Sequence, residues 1–419
     1  MVRFYSLTFV AMQKKLSALW IAGWFPTKAN TLAGKFIEQH AFACATKIDI
    51  TLVFAATYFL GKQKNNPRTE NYPFKIIWLD IPQFQFPVFK PLNLVIYYCC
   101  YYFKLLKHLK LMPQFDILHV HAPDKCGILA TWVKNKLKLK KMVLTEHWAI
   151  YNSPVPDHFL TRNLWFQYAM KQTWKHTDIA AQVSLPLHSE MEKLLGKTIP
   201  VVEFPNVVPA DFFVPTEKVK YEKFNFVHVS NFENRKNIQL IFDAFLKLYA
   251  EDNSVGIEFV GADKSAKEFY QNQFSSQVPI SQTETENQFV WKIHEKVSPS
   301  TINELFRKSQ CLVMASSSEN APCVISEALC TGLPVLTSNV GGIADMVNQS
   351  NGILFELHIN EKTWSAYNKQ NLDTLYQAMK TMKQNVLNAK YINIEIAAKE
   401  KYSASSISDK LNQLYLSII

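Results

Sequence analysis

The 419-residue chain lacks a C-x-x-C pair. Its seven cysteines (Cys44, Cys99, Cys100, Cys126, Cys311, Cys323 and Cys330) are odd in number and mostly set in apolar stretches. That favours reduced, buried thiols in a cytosolic protein over a disulfide framework or a zinc site. No G-x-G-x-x-G follows the first apolar run, 16–22, which counts against a dinucleotide-binding oxidoreductase. No nucleic-acid-binding motif, internal repeat or low-complexity tract stands out. The uncharged stretch 91–103 is too short to span a bilayer. The first eleven residues, ahead of Met12, are apolar but short, and Lys14 and Lys15 follow them without a small-residue cleavage site. They read as an extension before a first strand, with Met1 or Met12 as the start, rather than as a signal peptide or an anchor.

What is present is ordinary globular composition, 48% apolar and 19% charged. The length exceeds one hydrophobic core, so two domains are expected. Charge is unevenly split. Residues 1–205 carry 25 Lys+Arg against 12 Asp+Glu, and residues 206–419 carry 20 against 23. A basic half suggests a negative partner, and an anionic membrane surface fits better than nucleic acid. The segment 89–112 is aromatic and aliphatic, with Lys104, Lys107 and Lys110 at three-residue spacing. It reads either as a helix lying at a lipid interface or as a core helix with a basic exposed end.

Short apolar runs alternate with amphipathic stretches, the pattern of parallel sheets with crossover helices. Strands are expected at 16–22, 48–55, 74–79, 116–121, 141–146 and 178–184, then at 224–230, 256–261, 288–293, 310–314, 334–338 and 352–355. Ile238, Ile241, Phe242, Phe245, Leu246 and Tyr249 recur at helical spacing, so a helix starts after Lys236. Pro205, Pro209 and Pro215 mark a joint near 205–220. Tyr402 to Ile419 reads as a closing helix.

The stretch from Ser316 to Val335 is the most informative. It reads as loop, short helix, turn and strand, with Pro322 expected at the first helical position and Gly332 just past the helix end. Amides at 321–324 then make an anion site. Glu319 sits at the loop tip and Glu327 beside the same mouth. Carboxylates flanking an anion site suit a ligand that also carries hydroxyls, as a nucleotide sugar does.

These residues resemble the Glu-x7-Glu signature of retaining glycosyltransferases of GT-B fold, family 4 in particular. Trp24-Phe25-Pro26 with Ala33-Gly34-Lys35, Asp116-Ile117-Leu118-His119-Val120-His121, Thr145-Glu146-His147-Trp148, Pro205-Asn206-Val207-Val208 and Val340-Gly341-Gly342-Ile343-Ala344-Asp345 agree with further family segments, in the family's order. The resemblance covers nearly the whole chain. It departs where the family usually has G-R-L-x-x-x-K-G: Ser230 and Asn231 stand at the glycine and arginine positions, while Lys236 falls on the lysine. One phosphate cation rather than two is therefore expected, since Arg235 and Lys236, adjacent in a loop, point in different directions.

The resemblance implies an α/β GT-B architecture. An acceptor domain at 1–208 faces a nucleotide-sugar domain at 209–399 across a cleft, and residues 400–419 cross back onto the first. It implies sugar transfer from a nucleoside diphosphate (UDP or GDP) to an acceptor hydroxyl, with retention. The basic charge and segment 89–112 point to a lipid-linked or cell-envelope glycan as the acceptor, and with the cysteine usage to a protein in the cytoplasm or peripherally on the membrane. Glu327 would accept the ribose hydroxyls, Lys236 would neutralise the leaving diphosphate, and Glu319 would hold the transferred sugar. Gly34, Gly341 and Gly342 would let backbone approach the donor. Asn231, Arg235, Ala321, Pro322 and Cys323 would line its site, and His147 would contact the sugar. His121 is placed on the acceptor side. His119 and His121 are expected on opposite sides of their strand, so zinc ligation by that pair is not. Retention by front-face attack needs no metal or other cofactor, and no Asp-x-Asp motif is present to bind one. A catalytically silent scaffold or carbohydrate-binding module is the alternative, motivated by Ser230 and Asn231.

Overall fold

The apolar runs assemble into two parallel sheets. The computed structural model describes residues 15–67, 71–110, 112, 114–152, 158–213, 223–278, 289–360, 363 and 365–419. The opening extension and part of the proline-rich joint lie outside them. The first sheet contains β1 (Leu16–Ala22), β2 (Ile48–Phe59), β3 (Lys75–Gln83), β4 (Ile117–His121), β5 (Met142–Thr145), β6 (Ile179–Gln182) and β7 (Val201–Glu203), in the spatial order β3-β2-β1-β4-β5-β6-β7. The second contains β8 (Phe224–Val229), β9 (Val255–Ala262), β10 (Trp291–Glu295), β11 (Cys311–Met314), β12 (Val335–Ser338) and β13 (Gly352–Phe355), in the order β10-β9-β8-β11-β12-β13. Every pair of neighbours is parallel.

Helices cover both faces, which explains why the central strands are apolar throughout rather than alternating. They are α1 (Lys35–Cys44), α2 (Lys90–Leu109), α3 (Gly127–Lys136), α4 (Leu164–His176) and α5 (Leu185–Leu195) around the first sheet, and α6 (Ile238–Glu251), α7 (Lys264–Ser275), α8 (Pro299–Lys308), α9 (Cys323–Cys330), α10 (Lys369–Leu387) and α11 (Ile394–Tyr402) around the second. Strand pleating sorts β1 between two cores. Ala18, Trp20 and Ala22 enter one, and Leu19 and Ile21 the other. The last helix, α12 (Ala404–Ile418), packs on α1 and places Ile407, Leu411 and Tyr415 in the core that contains Trp20. Tyr402 still belongs to a second-domain core, so the chain crosses back at Ser403.

The expected strands are present, several a residue or two shorter, while β2 and β3 run on to Phe59 and Gln83, past the expected ends at 55 and 79; β10 opens at Trp291 rather than 288, and residues 279–288 are outside the described set. β7 was not expected: three residues, one of them Glu203, carry no readable period. α2 bears out the core-helix reading of 89–112 on one of its faces. Tyr97, Tyr101, Leu105 and Leu109 face the core at four-residue spacing, while Leu92, Val95, Cys99 and Phe103 form an exposed apolar face. No described helix is long and apolar enough to cross a membrane.

Candidate functional site

In each sheet the strand order reverses beside its first strand. β1 lies between β2 and β4, and β8 between β9 and β11. Loops leaving the carboxyl ends of such strands form the natural ligand crevice. In the second domain these are the loop after β8, which carries Arg235 and Lys236, and the loop after β11, which carries Glu319. Backbone and side chain weld the two. Ser317 N donates to Arg235 O at 2.8 Å, and Arg235 Nη1 to Ser318 O at 3.0 Å. Asn237, at φ 51° ahead of α6, donates to Ala315 O and to Ser317 Oγ at 2.7 and 2.8 Å.

This weld carries Glu319, a buried carboxylate, onto two cations. Lys236 Nζ pairs with its Oε1, and Arg235 Nη1 stands 3.4 Å from the same oxygen. Burial raises the Glu319 pKa, but the charges of Lys236 and Arg235 outweigh it and hold the carboxyl below its usual value. Arg235 and Lys236 were expected to point in different directions; instead a one-turn 3-10 helix, Asn234–Lys236, brings both side chains to Glu319. Between the domains lies a cleft of about 520 Å³. Its wall includes Arg235, Ser318, Glu319, Asn320, Ala321 and Pro322 from the second domain and Trp24, His147 and Trp148 from the first. Arg235, rather than Lys236, is the cation on that wall; Lys236 sits behind Glu319 and is buried.

The first domain grips the same loop with neutral side chains. Asn152 Nδ2 donates to Glu319 O at 3.2 Å, and Asn206 Nδ2 to Ala321 O at 3.0 Å. Asn320 uses both ends of its amide, accepting from Ser184 Oγ at 2.7 Å and donating to His147 O at 3.3 Å. Leu185 N donates to Asp345 Oδ2 at 2.8 Å. Glu146, left without a role by the sequence, accepts from the amides of His147 and Trp148 at 2.8 and 2.9 Å and so sets that corner of the cleft. Burial pushes its pKa up to about 7.

His119 and His121 are not on opposite sides of β4. Side chains repeat every two residues along a strand, so they share a face, and their rings stack at 4.0 Å. Both are fully buried, which removes His121 from any exposed acceptor wall. With His40 and His147 they form an imidazole cluster around Trp20, whose ring lies 4.3 Å from that of His121. Burial lowers all four pKa values, that of His40 to about 4, so the cluster is neutral at pH 7.

The remaining expected residues divide. Ala321 and Pro322 line the cleft, but Pro322 is extended (ψ 119°) and caps α9, whose first residue is Cys323. Gly332 follows α9 at φ 73°, as anticipated. Cys323 and Glu327, one turn apart on α9, are half-buried just off the wall, and Glu327 has its pKa raised to about 7 by burial. Asn231 is exposed and donates to Glu233 at 2.6 Å; Ser230 Oγ bonds His228 at 2.8 Å. Neither faces the cleft. The glycines act through packing. A Cβ on Gly34 (φ 68°) would fall 2.5 Å from the Trp24 carbonyl carbon. One on Gly342 would fall 2.4 Å from Asn320 O, and one on Gly341 (φ 56°) would overlap Glu319 O at 1.8 Å. The Gly-Gly turn is a support under the Glu319 loop. Asn152, Ser184 and Glu146 had no signal in the sequence, because single polar residues in loops carry no period.

Comparison with known proteins agrees with this architecture. Residues 211–370 match the family model of glycosyl transferases group 1. No curated protein sequence matches the chain. Among solved structures, sucrose-phosphate synthase from Thermosynechococcus elongatus is similar at 15% identity and TM-score 0.69, over 96% of this chain and 99% of that one. Anabaena HepE in complex with UDP is similar at 13% identity and TM-score 0.66, over 96% and 100%. The lipopolysaccharide outer core galactosyltransferase WaaB is similar at 14% identity and TM-score 0.63, again over 96% and 100%. The chain therefore has the GT-B fold: two facing Rossmann-like domains and a helix that crosses back.

The packing of Gly341 yields a controlled test. Gly61 also has positive φ (79°), but a Cβ there meets nothing within 4 Å. Both alanine substitutions strain the backbone by about 1 kcal/mol or more, whereas only Gly341→Ala must also displace the Glu319 loop. Thermal unfolding should show a clearly larger loss for Gly341→Ala than for Gly61→Ala; equal losses would refute the supporting role of the turn.

Proposed function

We propose that the chain is a glycosyltransferase that moves a sugar from a nucleoside diphosphate to an acceptor hydroxyl with retention of anomeric configuration. The observation that carries this reading is Glu319, held buried against Arg235 and Lys236 at the lip of an interdomain cleft, where the strand order of each sheet reverses. The group 1 match over 211–370 supports it, as does the HepE complex, in which a protein of this fold binds UDP. In this reading the diphosphate meets Arg235 and the first amides of α9, with Lys236 tuning Glu319 from behind. Glu319 accepts hydroxyls of the transferred sugar and Glu327 those of the ribose. The anomeric C–O bond to phosphate breaks while the acceptor oxygen bonds the same carbon from the same face. The acceptor proton passes to the departing phosphate oxygen, so the protein supplies position and charge rather than a nucleophile. The acceptor would be a glycan or lipid-linked hydroxyl of cell-envelope or exopolysaccharide synthesis.

The test is hydrolysis of, or transfer from, UDP- and GDP-sugars by the purified chain. Glu319→Ala and Lys236→Ala should each lower turnover by about 10²–10³-fold. Tight nucleotide binding without turnover for any donor would instead support a catalytically silent module.

Glu327 gives this reading a pH dependence. Its carboxyl, raised by burial to about 7, must be ionised to accept two hydroxyls. Binding therefore competes with a proton around and below pH 7, and nucleotide affinity should fall as pH drops from 8 to 6 and level off above about 8. Glu327→Gln should bind more weakly and lose that component of the pH dependence. An unchanged pH profile in the variant would remove Glu327 from the ribose site.

The exposed face of α2 supports the membrane part of the reading. Leu92, Val95 and Phe103 are 45%, 57% and 66% exposed, and Lys107 and Lys110 continue that face. Apolar residues ending in cations suit the headgroup boundary of anionic lipid. The protein should float with anionic liposomes, and joint neutralisation of Lys104, Lys107 and Lys110 should abolish flotation. Indifference to lipid charge would refute membrane contact here.

A further inference from the structure

We propose that His40, His121 and His147 form a three-histidine site for a borderline divalent transition metal, Zn²⁺ above all, in the first domain beside the cleft. The site goes beyond glycosyl transfer and does not depend on it. It is also distinct from any metal on the diphosphate, because all three residues lie in the first domain.

One ring nitrogen from each histidine falls within 4.8 Å of the others. The ring centroids form a near-equilateral triangle with sides of 5.9, 6.1 and 6.3 Å. Zinc–nitrogen bonds of about 2.0–2.1 Å with tetrahedral angles need nitrogens about 3.3 Å apart. The imidazoles must therefore close by about 1.5 Å at most, which lies within the broad rotation of a histidine ring about χ2.

Tautomer and hydrogen bonding prepare the site. His40 Nε2 lies 2.8 Å from Pro205 O, and a carbonyl only accepts, so the proton sits on Nε2 and the Nδ1 lone pair is available. That Nδ1 has no hydrogen-bond partner among the described residues, nor has either ring nitrogen of His121 or His147. Leaving such groups buried and unpaired is unfavourable, and a metal ion would satisfy them. His119 is the internal contrast. Its Nδ1 bonds Tyr415 OH at 2.6 Å and its Nε2 bonds Thr145 Oγ1 at 2.8 Å, so it is saturated and serves as a platform for the His121 ring.

The donor set selects the ion. Three neutral imidazoles with no carboxylate favour Zn²⁺, Cu²⁺, Ni²⁺ or Co²⁺ over Mg²⁺, Ca²⁺ or Mn²⁺. Three protein ligands leave one tetrahedral position for water or a hydroxyl. His147 is also part of the cleft wall and stacks on Phe36 at 4.2 Å, so an ion here fixes the orientation of that wall.

The experiment uses the full chain, stripped with chelator, loaded with Zn²⁺ or Co²⁺ alone and desalted. Elemental analysis should find about one ion per chain, and the Co²⁺ form should show visible d–d bands of tetrahedral intensity. His121→Ala and His147→Gln should each lower affinity at least tenfold and abolish the bands, while His108→Ala, on the exposed side of α2, should change neither. His147 is only half-buried, so His147→Gln is the variant that keeps the test valid if His121→Ala fails to fold. Less than ~0.1 ion per wild-type chain, or an affinity and Co²⁺ spectrum unchanged by His147→Gln, overturns the site. Because the readout contains no donor sugar, its failure leaves the glycosyl-transfer reading intact, and the converse holds.

Discussion

A carboxylate removed from water must find positive charge or lose its own. Glu319 finds it twice, in Lys236 behind it and Arg235 beside it. Ion pairs of this kind add little net stability, because desolvation consumes most of the Coulomb gain, yet removing one partner typically costs about 3–5 kcal/mol. The pair therefore acts chiefly as a constraint. Any conformation in which the loops after β8 and β11 part strands a charge in the interior. The geometry of the cleft wall follows from that constraint, with Asn237 and Ser317 closing the remaining backbone groups.

The seam between the domains rests on a different interaction. Asn152, Asn206, Ser184 and Asn320 contribute neutral hydrogen bonds, worth about 0.5–1.5 kcal/mol each. These bonds fix register across the cleft together with the Leu185–Asp345 hydrogen bond and the Lys401–Glu203 ion pair, while α12 supplies the apolar tie between the domains. The wall that carries Glu319 is thus braced within its own domain by ion pairs and joined to the other by hydrogen bonds. The proposed transfer would use this combination to admit a charged donor and then exclude water.

The sequence revealed those parts of the molecule whose physics is local. Gly332 past α9, the helix beginning at Ile238 and the apolar strands all follow from propensity and period. So does the placement of Glu319, because loop, helix and turn lie in one continuous stretch. What escaped is long-range. Arg235 and Lys236 converge because a tight 3-10 turn is bonded to a loop more than eighty residues away. The Gly341-Gly342 turn could be recognised as close backbone packing, but not its contact with the Glu319 and Asn320 carbonyls, which lie some twenty residues away in the chain. His119 and His121 were separated by a misapplied strand period; the correct period places them together, and only the β1–β4–β5 register and α1 bring His147 and His40 to the same place.

The two walls also differ in kind, and that difference orients a ligand. The second domain offers ionised groups, Arg235 with its carboxylate partners Glu233 and Glu319, with the N-terminus of α9 close by. The first offers Trp24, Trp148 and a neutral imidazole, with Trp24 and Trp148 in edge contact at 5.4 Å. Phosphate is attracted to the former, and the apolar face of a sugar ring to aromatic surfaces such as the latter. A molecule with a charged end and a polyhydroxylated, partly apolar end has only one favourable direction across such a cleft. The asymmetry needs no base-specific contact, so in the proposed reaction it would order the diphosphate and the sugar while leaving the identity of each to the residues around them.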